Sequence, residues 1–255
     1  MKLCESIAIV TGGASGLGEA CVRALAAEGA KVCIFDLAED HGKKIAAELG
    51  RNVLFAQADV TSEESVQRAI KTALDAFGGL NVAINCAGIA PPAKVLSKKG
   101  PMPLSLFNRV LQINLVGTFN VDRLVIEQMV KNTPHADGEK GVIIHTSSVA
   151  AFDGQIGQPA YSASKAGVVG MTLPLARECA DYGIRVMTIA PGLFATPMLA
   201  SLPQEAQDVL GGMTPFPKRL GKPGEYALLA MQIIENSMLN GEVIRLDGAI
   251  RMTAK

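Results

Sequence analysis

Short apolar runs alternate with longer amphipathic runs along the chain. The first third contains the apolar runs SIAIVT, KVCIFD, NVLFAQAD and LNVAINCAG, separated by segments of helical periodicity such as GEACVRALAAEG and SEESVQRAIKTALDAFG. Continuous apolar strands that alternate with amphipathic helices are typical of a parallel sheet covered on both faces. We therefore predict an α/β protein with a doubly wound, Rossmann-type sheet.

The alternation resumes after a loop at 89–103. We predict a helix near 104–131, the strand GVIIHTSS, a helix opened by Pro159, the strand IRVMTIAPG, a helix near 224–236 and the final strand GEVIRLD. These segments give a sheet of about seven strands with helices on both faces. Since no linker interrupts the 255 residues, we expect a single domain.

Composition excludes several classes of protein. Charged residues make up 19% of the chain, and Lys+Arg balance Asp+Glu at 24 each, which favours neither disorder nor binding to nucleic acid. The five cysteines form no C-x-x-C pair and the three histidines have no metal-ligand spacing, so we predict a reducing compartment and no metal. We see no cleavable presequence and no apolar run long enough for a membrane span, so we expect no membrane association and a cytoplasmic location, or the mitochondrial matrix in a eukaryote.

A glycine-rich loop follows the first predicted strand. In TGGASGLG, residues 11–18, the glycines at 12, 16 and 18 allow backbone N–H groups to approach a pyrophosphate at the N-terminus of the next helix, although the spacing departs from G-x-G-x-x-G. Asp36 ends the second strand, where a carboxylate accepts hydrogen bonds from ribose hydroxyls and repels a 2′-phosphate. We therefore predict NAD as the cofactor. Alternatively, or in addition, Asp36 caps a helix starting near Leu37.

A tyrosine and a lysine lie four positions apart in the segment AYSASKAG, residues 160–167. Helical spacing of four places Tyr161 and Lys165 on the same face. Two titratable groups therefore share one surface of the predicted helix.

Several motifs together resemble those of the short-chain dehydrogenase/reductase family. They are TGGASGLG, Asp59-Val60, NCAG at 85–88, Asn114, Ser148, YSASK at 161–165 and PG at 191–192. Longer stretches such as GIRVMTIAPGLFATP and NGEVIRLDGAIRM extend the likeness over nearly the whole chain, to members of the family that act on 3-hydroxyacyl-CoA. The insertion SKKG at 97–100 fits this subgroup, whereas the cysteine of NCAG departs from the commoner NNAG.

The resemblance implies catalytic roles for four residues. Tyr161 would be the general acid/base, and its pKa, near 10 in free tyrosine, must fall by about 3 for work near neutrality. Lys165 and a positive nicotinamide ring are the charges available for this. Ser148 would donate a hydrogen bond to the substrate oxygen, and Asn114 would hold a water that links Lys165 to solvent. From the residues alone, the favoured interpretation of Asn114 is a buried helical residue that satisfies backbone groups.

The resemblance also implies binding roles. The cofactor would contact Gly12, Ser15, Gly16, Leu17, Gly18, Asp36, Asp59, Val60, Ala87, Gly88, Tyr161, Lys165 and Thr196. The substrate would contact Ser148, Gln155, Gln158 and Tyr161, although one of the two glutamines alternatively caps the helix entered at Pro159.

Two further segments are candidates for substrate contact. The stretch 193–216 mixes Phe194, Met198, Leu199, Leu202, Leu210, Met213 and Phe216 with prolines and glycines. This composition suits a lid over an acyl chain or, alternatively, a helix over the core. In the loop 89–103, Lys94, Lys98 and Lys99 are candidates for contact with the phosphates of CoA, the alternative being an ordinary solvated loop.

The expected function is the NAD-dependent interconversion of 3-hydroxyacyl-CoA and 3-ketoacyl-CoA, with an acyl-CoA as the small-molecule substrate. Alternatives are a 3-oxoacyl-carrier-protein reductase, a steroid or secondary-alcohol dehydrogenase, and a non-catalytic scaffold that senses dinucleotides. By resemblance we also expect a homotetramer. Its interfaces would be formed by the helices near 104–131 and 159–182 and by the C-terminal strand.

Overall fold

The computed structural model describes residues 1–200 and 203–254, and in this part of the chain seven of nine strands form one parallel sheet. The strands are β1 (Ile7–Thr11), β2 (Lys31–Asp36), β3 (Val53–Gln57), β4 (Val82–Asn85), β5 (Leu96–Ser97), β6 (Gly100–Pro101), β7 (Gly141–Thr146), β8 (Ile184–Pro191) and β9 (Val243–Leu246). The order across the sheet is β3-β2-β1-β4-β7-β8-β9. The predicted doubly wound fold with about seven strands is confirmed.

Helices cover both faces of the sheet. They are α1 (Gly16–Ala27), α2 (Glu39–Leu49), α3 (Glu63–Phe77), α4 (Leu104–Leu111), α5 (Gly117–Met129), α6 (Pro159–Ala180), α7 (Pro197–Ala200), α8 (Gln204–Gly212) and α9 (Pro223–Glu235). Across the part of the chain that the structure describes, no helix combines the length and the apolar character needed to cross a membrane.

The sheet separates two hydrophobic cores, because alternate side chains of each strand point to opposite faces. On one face, Val10 and Ile84 belong to a buried cluster that includes Tyr226 of α9. On the other face, the preceding strand residues Ile9 and Ala83 belong to a second cluster, with α5. Because successive side chains of a strand point to opposite faces, both faces must be apolar for the sheet to be buried on both sides.

The strand order reverses at β1, which lies between β2 and β4: β2 and β3 follow on one side of β1, and the later strands of the sheet lie on the other side. The loops after β1 and β4 therefore diverge to opposite faces and leave a crevice at the carboxyl ends of the strands. The glycine-rich loop and the NCAG segment flank this crevice.

The helix predicted near 104–131 is interrupted. A π-helical turn, Gln112–Val116, separates α4 from α5, and the Gly117 N–H donates to the Gln112 carbonyl five residues earlier. Apolar periodicity cannot show this local change of hydrogen bonding. The preceding loop, 89–103, contains the small antiparallel hairpin of β5 and β6.

Candidate active site

A cleft of about 970 Å³ lies at the carboxyl ends of the strands. Its walls include every residue predicted for catalysis or cofactor binding except Asn114, and they also include Gln155 and Gln158. Residues as distant in sequence as Gly12, Asp36, Tyr161 and Thr196 are therefore brought to one site.

The glycine-rich loop is shaped for close approach to a ligand. Gly12 has a left-handed backbone, with φ of 62°, and a Cβ at this position would lie 2.9 Å from the Ala87 nitrogen. A Cβ at Gly18 would collide with the Gly12 carbonyl oxygen. Ser15 stands at the N-cap of α1, but its hydroxyl makes no capping bond. The positive end of the helix thus faces the cleft, with the Ser15 hydroxyl beside it.

Asp36 anchors the glycine-rich loop from the neighbouring strand. Its carboxylate accepts hydrogen bonds from the Ala14 N–H at 3.0 Å and the Ala38 N–H at 3.0 Å. Helix α2 begins at Glu39, with Ala38 at its N-cap, so the proposed capping role of Asp36 is wrong. The carboxylate fixes the turn before the helix and the loop after β1, and it also lines the cleft.

Asp59 and Val60 form a fixed wall beyond the end of β3. The Asp59 carboxylate accepts hydrogen bonds from the Thr61 N–H at 2.9 Å and the Thr61 hydroxyl at 2.7 Å. The Val60 carbonyl accepts a bond from the Asn120 side chain at 2.9 Å. These bonds hold both residues against the cleft.

The segment after β4 forms the floor of the cleft. The Ala87 N–H donates to the Thr11 hydroxyl at 3.1 Å. A Cβ at Gly88 would lie 3.5 Å from Lys165 Nζ, so the absence of a side chain here leaves room beside the lysine. Cys86 also lines the cleft, and its sulfur accepts a hydrogen bond from the Thr146 hydroxyl at 3.3 Å.

Tyr161 and Lys165 lie on the same face of α6, as their spacing predicts. Lys165 Nζ is 5.8 Å from the centre of the Tyr161 ring and donates to the Thr146 carbonyl at 2.7 Å. Burial lowers the pKa of Lys165 to about 8. Burial also raises the pKa of Tyr161 above its usual value, opposed by a hydrogen bond with Ser148. The net effect of the chain's own groups is therefore to raise the pKa of Tyr161, whereas from the sequence we expected it to fall.

Ser148 follows β7, lines the cleft and forms a side-chain hydrogen bond with Tyr161. Its oxygen accepts a hydrogen bond from the Ala150 N–H at 3.1 Å. Because a hydroxyl that accepts a bond retains its own proton, Ser148 can still donate to another oxygen.

Asn114 is fully buried and belongs to the π-helical turn. Its side-chain oxygen accepts from the Ile89 N–H at 2.8 Å, and its nitrogen donates to the Ile89 carbonyl at 2.9 Å and the Ser164 hydroxyl at 3.0 Å. The side chain thus satisfies backbone groups, as the structural alternative expects. The water relay stays a prediction.

Gln155 and Gln158 both line the cleft. The Gln158 side-chain oxygen accepts from the Gln155 N–H at 3.0 Å. Although Gln158 is the N-cap residue of α6, its side chain makes no capping bond, so the capping alternative is wrong. The Gln155 side chain donates to the Thr253 carbonyl at 3.1 Å.

The predicted lid contributes unevenly to the cleft. Phe194 and Leu199 line it, whereas Phe216 is 83% exposed. Leu202 and the side chain of Met198 lie outside the described part of the chain. Closure over a substrate stays a prediction.

The loop lysines lie apart from the main cleft. Lys94 lines a second cavity that borders residues 154–159, while Lys98 and Lys99 are exposed.

Cys86, Arg109 and Met252 are among the residues on the walls of the cleft for which the sequence predicted no role. Cys86 directly precedes the predicted contact Ala87, so its position in NCAG was an available signal. Arg109 lies in a segment without a motif, and Met252 ends the stretch NGEVIRLDGAIRM, in which no residue was assigned a role. Only the tertiary structure shows that they reach the cleft.

The chain matches the family model for short chain dehydrogenase over residues 6–207. It is 58% identical over 248 residues to the 3-hydroxyacyl-CoA dehydrogenase type-2 of Homo sapiens, covering 96% of this chain and 95% of that protein. The protein of the same name from Bos taurus is 56% identical, with the same coverage. The crystal structure of 3-hydroxyacyl-CoA dehydrogenase type-2 from Mycobacterium avium has a TM-score of 0.94 and 45% identity, and the match covers 97% of this chain and 96% of that one.

Proposed function

The chain belongs to the short chain dehydrogenase family, and from this premise we propose that it is an NAD-dependent oxidoreductase that interconverts 3-hydroxyacyl-CoA and 3-ketoacyl-CoA. The single observation that supports this most is the meeting of Ser148, Tyr161 and Lys165 in one cleft, in a chain 54–58% identical to relatives named for that activity.

The residues of the cleft fit a dinucleotide. The glycine-rich loop and the N-terminus of α1 would hold the diphosphate, with the hydroxyl of Ser15, which makes no capping bond, beside it. Asp36 favours NAD over NADP, because its carboxylate accepts hydrogen bonds from ribose hydroxyls and repels a 2′-phosphate. A nicotinamide cofactor held by these residues would supply the hydride acceptor for oxidation of the alcohol and the hydride donor for reduction of the ketone.

Tyr161 moves the proton in the proposed reaction. Its hydroxyl takes the proton of the substrate alcohol in oxidation and returns it in reduction. Ser148 donates a hydrogen bond to the same substrate oxygen, which stabilises the charge that develops there.

Lys165 supplies positive charge to this centre. Its pKa is about 8, so Lys165 is charged in most molecules at pH 7. The Thr146 carbonyl accepts a hydrogen bond from the ammonium and holds it in place. Since burial raises the pKa of Tyr161, the positive charge of Lys165 would favour the tyrosinate near neutrality, and a bound oxidised nicotinamide ring would add a second positive charge.

Gln155, Gln158 and the apolar side chains of Phe194 and Leu199 are the proposed substrate contacts. The amides offer hydrogen bonds to a thioester carbonyl, and the segment 193–216 supplies an adaptable apolar cover for the acyl chain. Lys98 and Lys99 are the proposed contacts of the CoA phosphates.

A steady-state assay tests the proposal. We expect the purified protein to oxidise NADH, followed at 340 nm, when acetoacetyl-CoA is added. Reduction of acetoacetyl-acyl carrier protein with NADPH as the preferred cofactor would instead support a carrier-protein reductase, and turnover of steroids alone would support a steroid dehydrogenase. Tight NADH binding without turnover of any of these substrates would contradict an enzymatic role.

We also propose a homotetramer. Val116 and Phe119 of the helical region 104–131 and Leu173 of α6 are exposed apolar side chains, at 44%, 47% and 44%, on two of the surfaces expected to form an interface. Among the residues that the structure describes, strand β9 ends the sheet and its outer edge has no pairing strand. Mass photometry should give four times the mass of the chain, and a stable monomer at working concentration would contradict this assembly.

A further inference from the structure

The C-terminal segment folds back onto the loop that carries Gln155. The Ile156 N–H donates to the Ala254 carbonyl at 3.0 Å, and the Gln155 side chain donates to the Thr253 carbonyl at 3.1 Å. These bonds join residues about a hundred positions apart. They place the neighbouring residue Met252 on the wall of the main cleft.

The base of this tail is held by Arg245 of β9. Its guanidinium pairs with Asp153 and with Asp247, donates to the Ile250 carbonyl at 3.1 Å and lies 5.2 Å from the centre of the Phe152 ring. One arginine therefore ties the tail to the start of the loop 152–158. The two segments form one continuous wall.

The sheet order decides which end of the cleft this wall closes. Asp36 ends β2, whereas the tail follows β9, five strand spacings away. At about 4.8 Å per spacing, the two ends lie about 24 Å apart across the sheet. The catalytic residues lie between them, because Ser148 follows β7. The tail is therefore at the substrate end, opposite the predicted adenosine site.

We propose that Met252 forms the far wall of the acyl pocket and limits the length of the acyl chain. Its side chain is partly buried, apolar and unbranched, which suits contact with a hydrocarbon chain. It offers no donor or charge to a CoA phosphate. This inference rests on the proposed function and adds a specificity-determining residue to it.

The experiment compares kcat/KM for 3-oxobutanoyl-CoA and 3-oxodecanoyl-CoA in four proteins: wild type, Met252→Ala, Met252→Trp and Met252→Leu. We expect Met252→Trp to lower the ratio of long-chain to short-chain kcat/KM at least tenfold. Met252→Ala should raise this ratio at least threefold, because it lengthens the pocket. Met252→Leu, of similar volume, should keep it within twofold of wild type.

A matched control and a second measurement separate specificity from folding. Met238 is 90% exposed, so Met238→Ala should leave the ratio unchanged. The Kd for NADH, measured by fluorescence, should be the same in all Met252 variants, because the predicted cofactor contacts lie elsewhere in the cleft. Equal ratios in the Ala, Trp and wild-type proteins would overturn the inference. If the wild type turned over neither acyl-CoA, the proposed function itself would fail.

Discussion

Replacing Lys165 by Met tests the electrostatic reading of the site, because the substitution removes the charge and retains most of the side-chain volume. Lys165 is 5% exposed, and burial lowers its pKa from 10.5 to about 8. One pKa unit corresponds to about 1.4 kcal/mol, so holding the charged form in the folded protein costs about 3 kcal/mol at pH 7. The variant lacks this penalty, although it also leaves the Thr146 carbonyl without its partner, which costs about 1–3 kcal/mol.

The pH dependence isolates the charge from the lost hydrogen bond. Between pH 8 and 10.5 the unfolded chain still binds the lysine proton that the folded protein has released, so folding of the wild type becomes more favourable as the pH rises. Between pH 7 and pH 10 the wild type should gain about 2 kcal/mol relative to Lys165→Met. For a chain of this size this corresponds to a change of about 4–8 °C in the difference between the two Tm values.

Scanning calorimetry at several pH values measures this difference. The exposed Lys131 provides the control, since Lys131→Met should show a Tm difference from wild type that does not vary over the same range. A Tm difference between wild type and Lys165→Met that stayed constant from pH 7 to pH 10 would refute the argument that burial depresses the lysine pKa. Independently of stability, turnover by Lys165→Met should fall sharply.

Three further predictions address the proposed chemistry. Tyr161→Phe keeps the ring but removes the titrating hydroxyl, so kcat should fall at least about 100-fold with the Kd for NADH nearly unchanged. Asp36→Ala should weaken NAD binding and narrow the preference for NAD over NADP in kcat/KM, because the ribose acceptor, the repulsion of the 2′-phosphate and the anchor of the glycine-rich loop are lost together. Neutralising Lys98 and Lys99 should raise KM for acetoacetyl-CoA, by an amount equivalent to about 0.2–1 kcal/mol of binding free energy for each exposed charge pair, with a smaller effect at high salt.

Each of these predictions has a result that counts against it. Retained turnover in Tyr161→Phe would remove the hydroxyl from the mechanism. The variant Asp36→Asn keeps one oxygen acceptor but no charge, so an unchanged cofactor preference in both Asp36 variants would leave the residue with only its structural bonds. If a small ketone without CoA lost as much activity as acetoacetyl-CoA in the lysine variant, those side chains would support the loop and not contact CoA.

The parts of the site that depend on the residue periodicity of a single helix or strand could be predicted from the sequence. Tyr161 and Lys165 share a face because helical spacing of four places them there, and Asp36 reaches the crevice because it ends an apolar strand. The sheet could be predicted for the same reason, since its strands are apolar on both faces.

The contacts between distant segments could not be predicted in this way. The bond from Ala14 to Asp36 and the return of Thr253 to Gln155 depend on how loops of irregular backbone meet, and no residue period describes them. The pKa of Tyr161 is a further example. The sequence shows that Lys165 is near, but the burial that raises the tyrosine pKa depends on the whole cleft.

The π-helical turn at Gln112–Val116 determines how far the side chains of α5 are rotated about the helix axis relative to those of α4. A turn closed over five residues contains one residue more than an α-helical turn, and each residue of an α-helix advances the side chains by about 100°. If one residue were deleted here, the helix could become regular, but every side chain on one side of the deletion would rotate relative to the other. Asn114 could then not contact Ile89 and Ser164 while the apolar face of α5 stayed on the sheet. The segment should therefore tolerate substitutions far better than changes of length. The irregular turn allows Asn114 to support the floor of the cleft while the apolar face of α5 packs on the sheet.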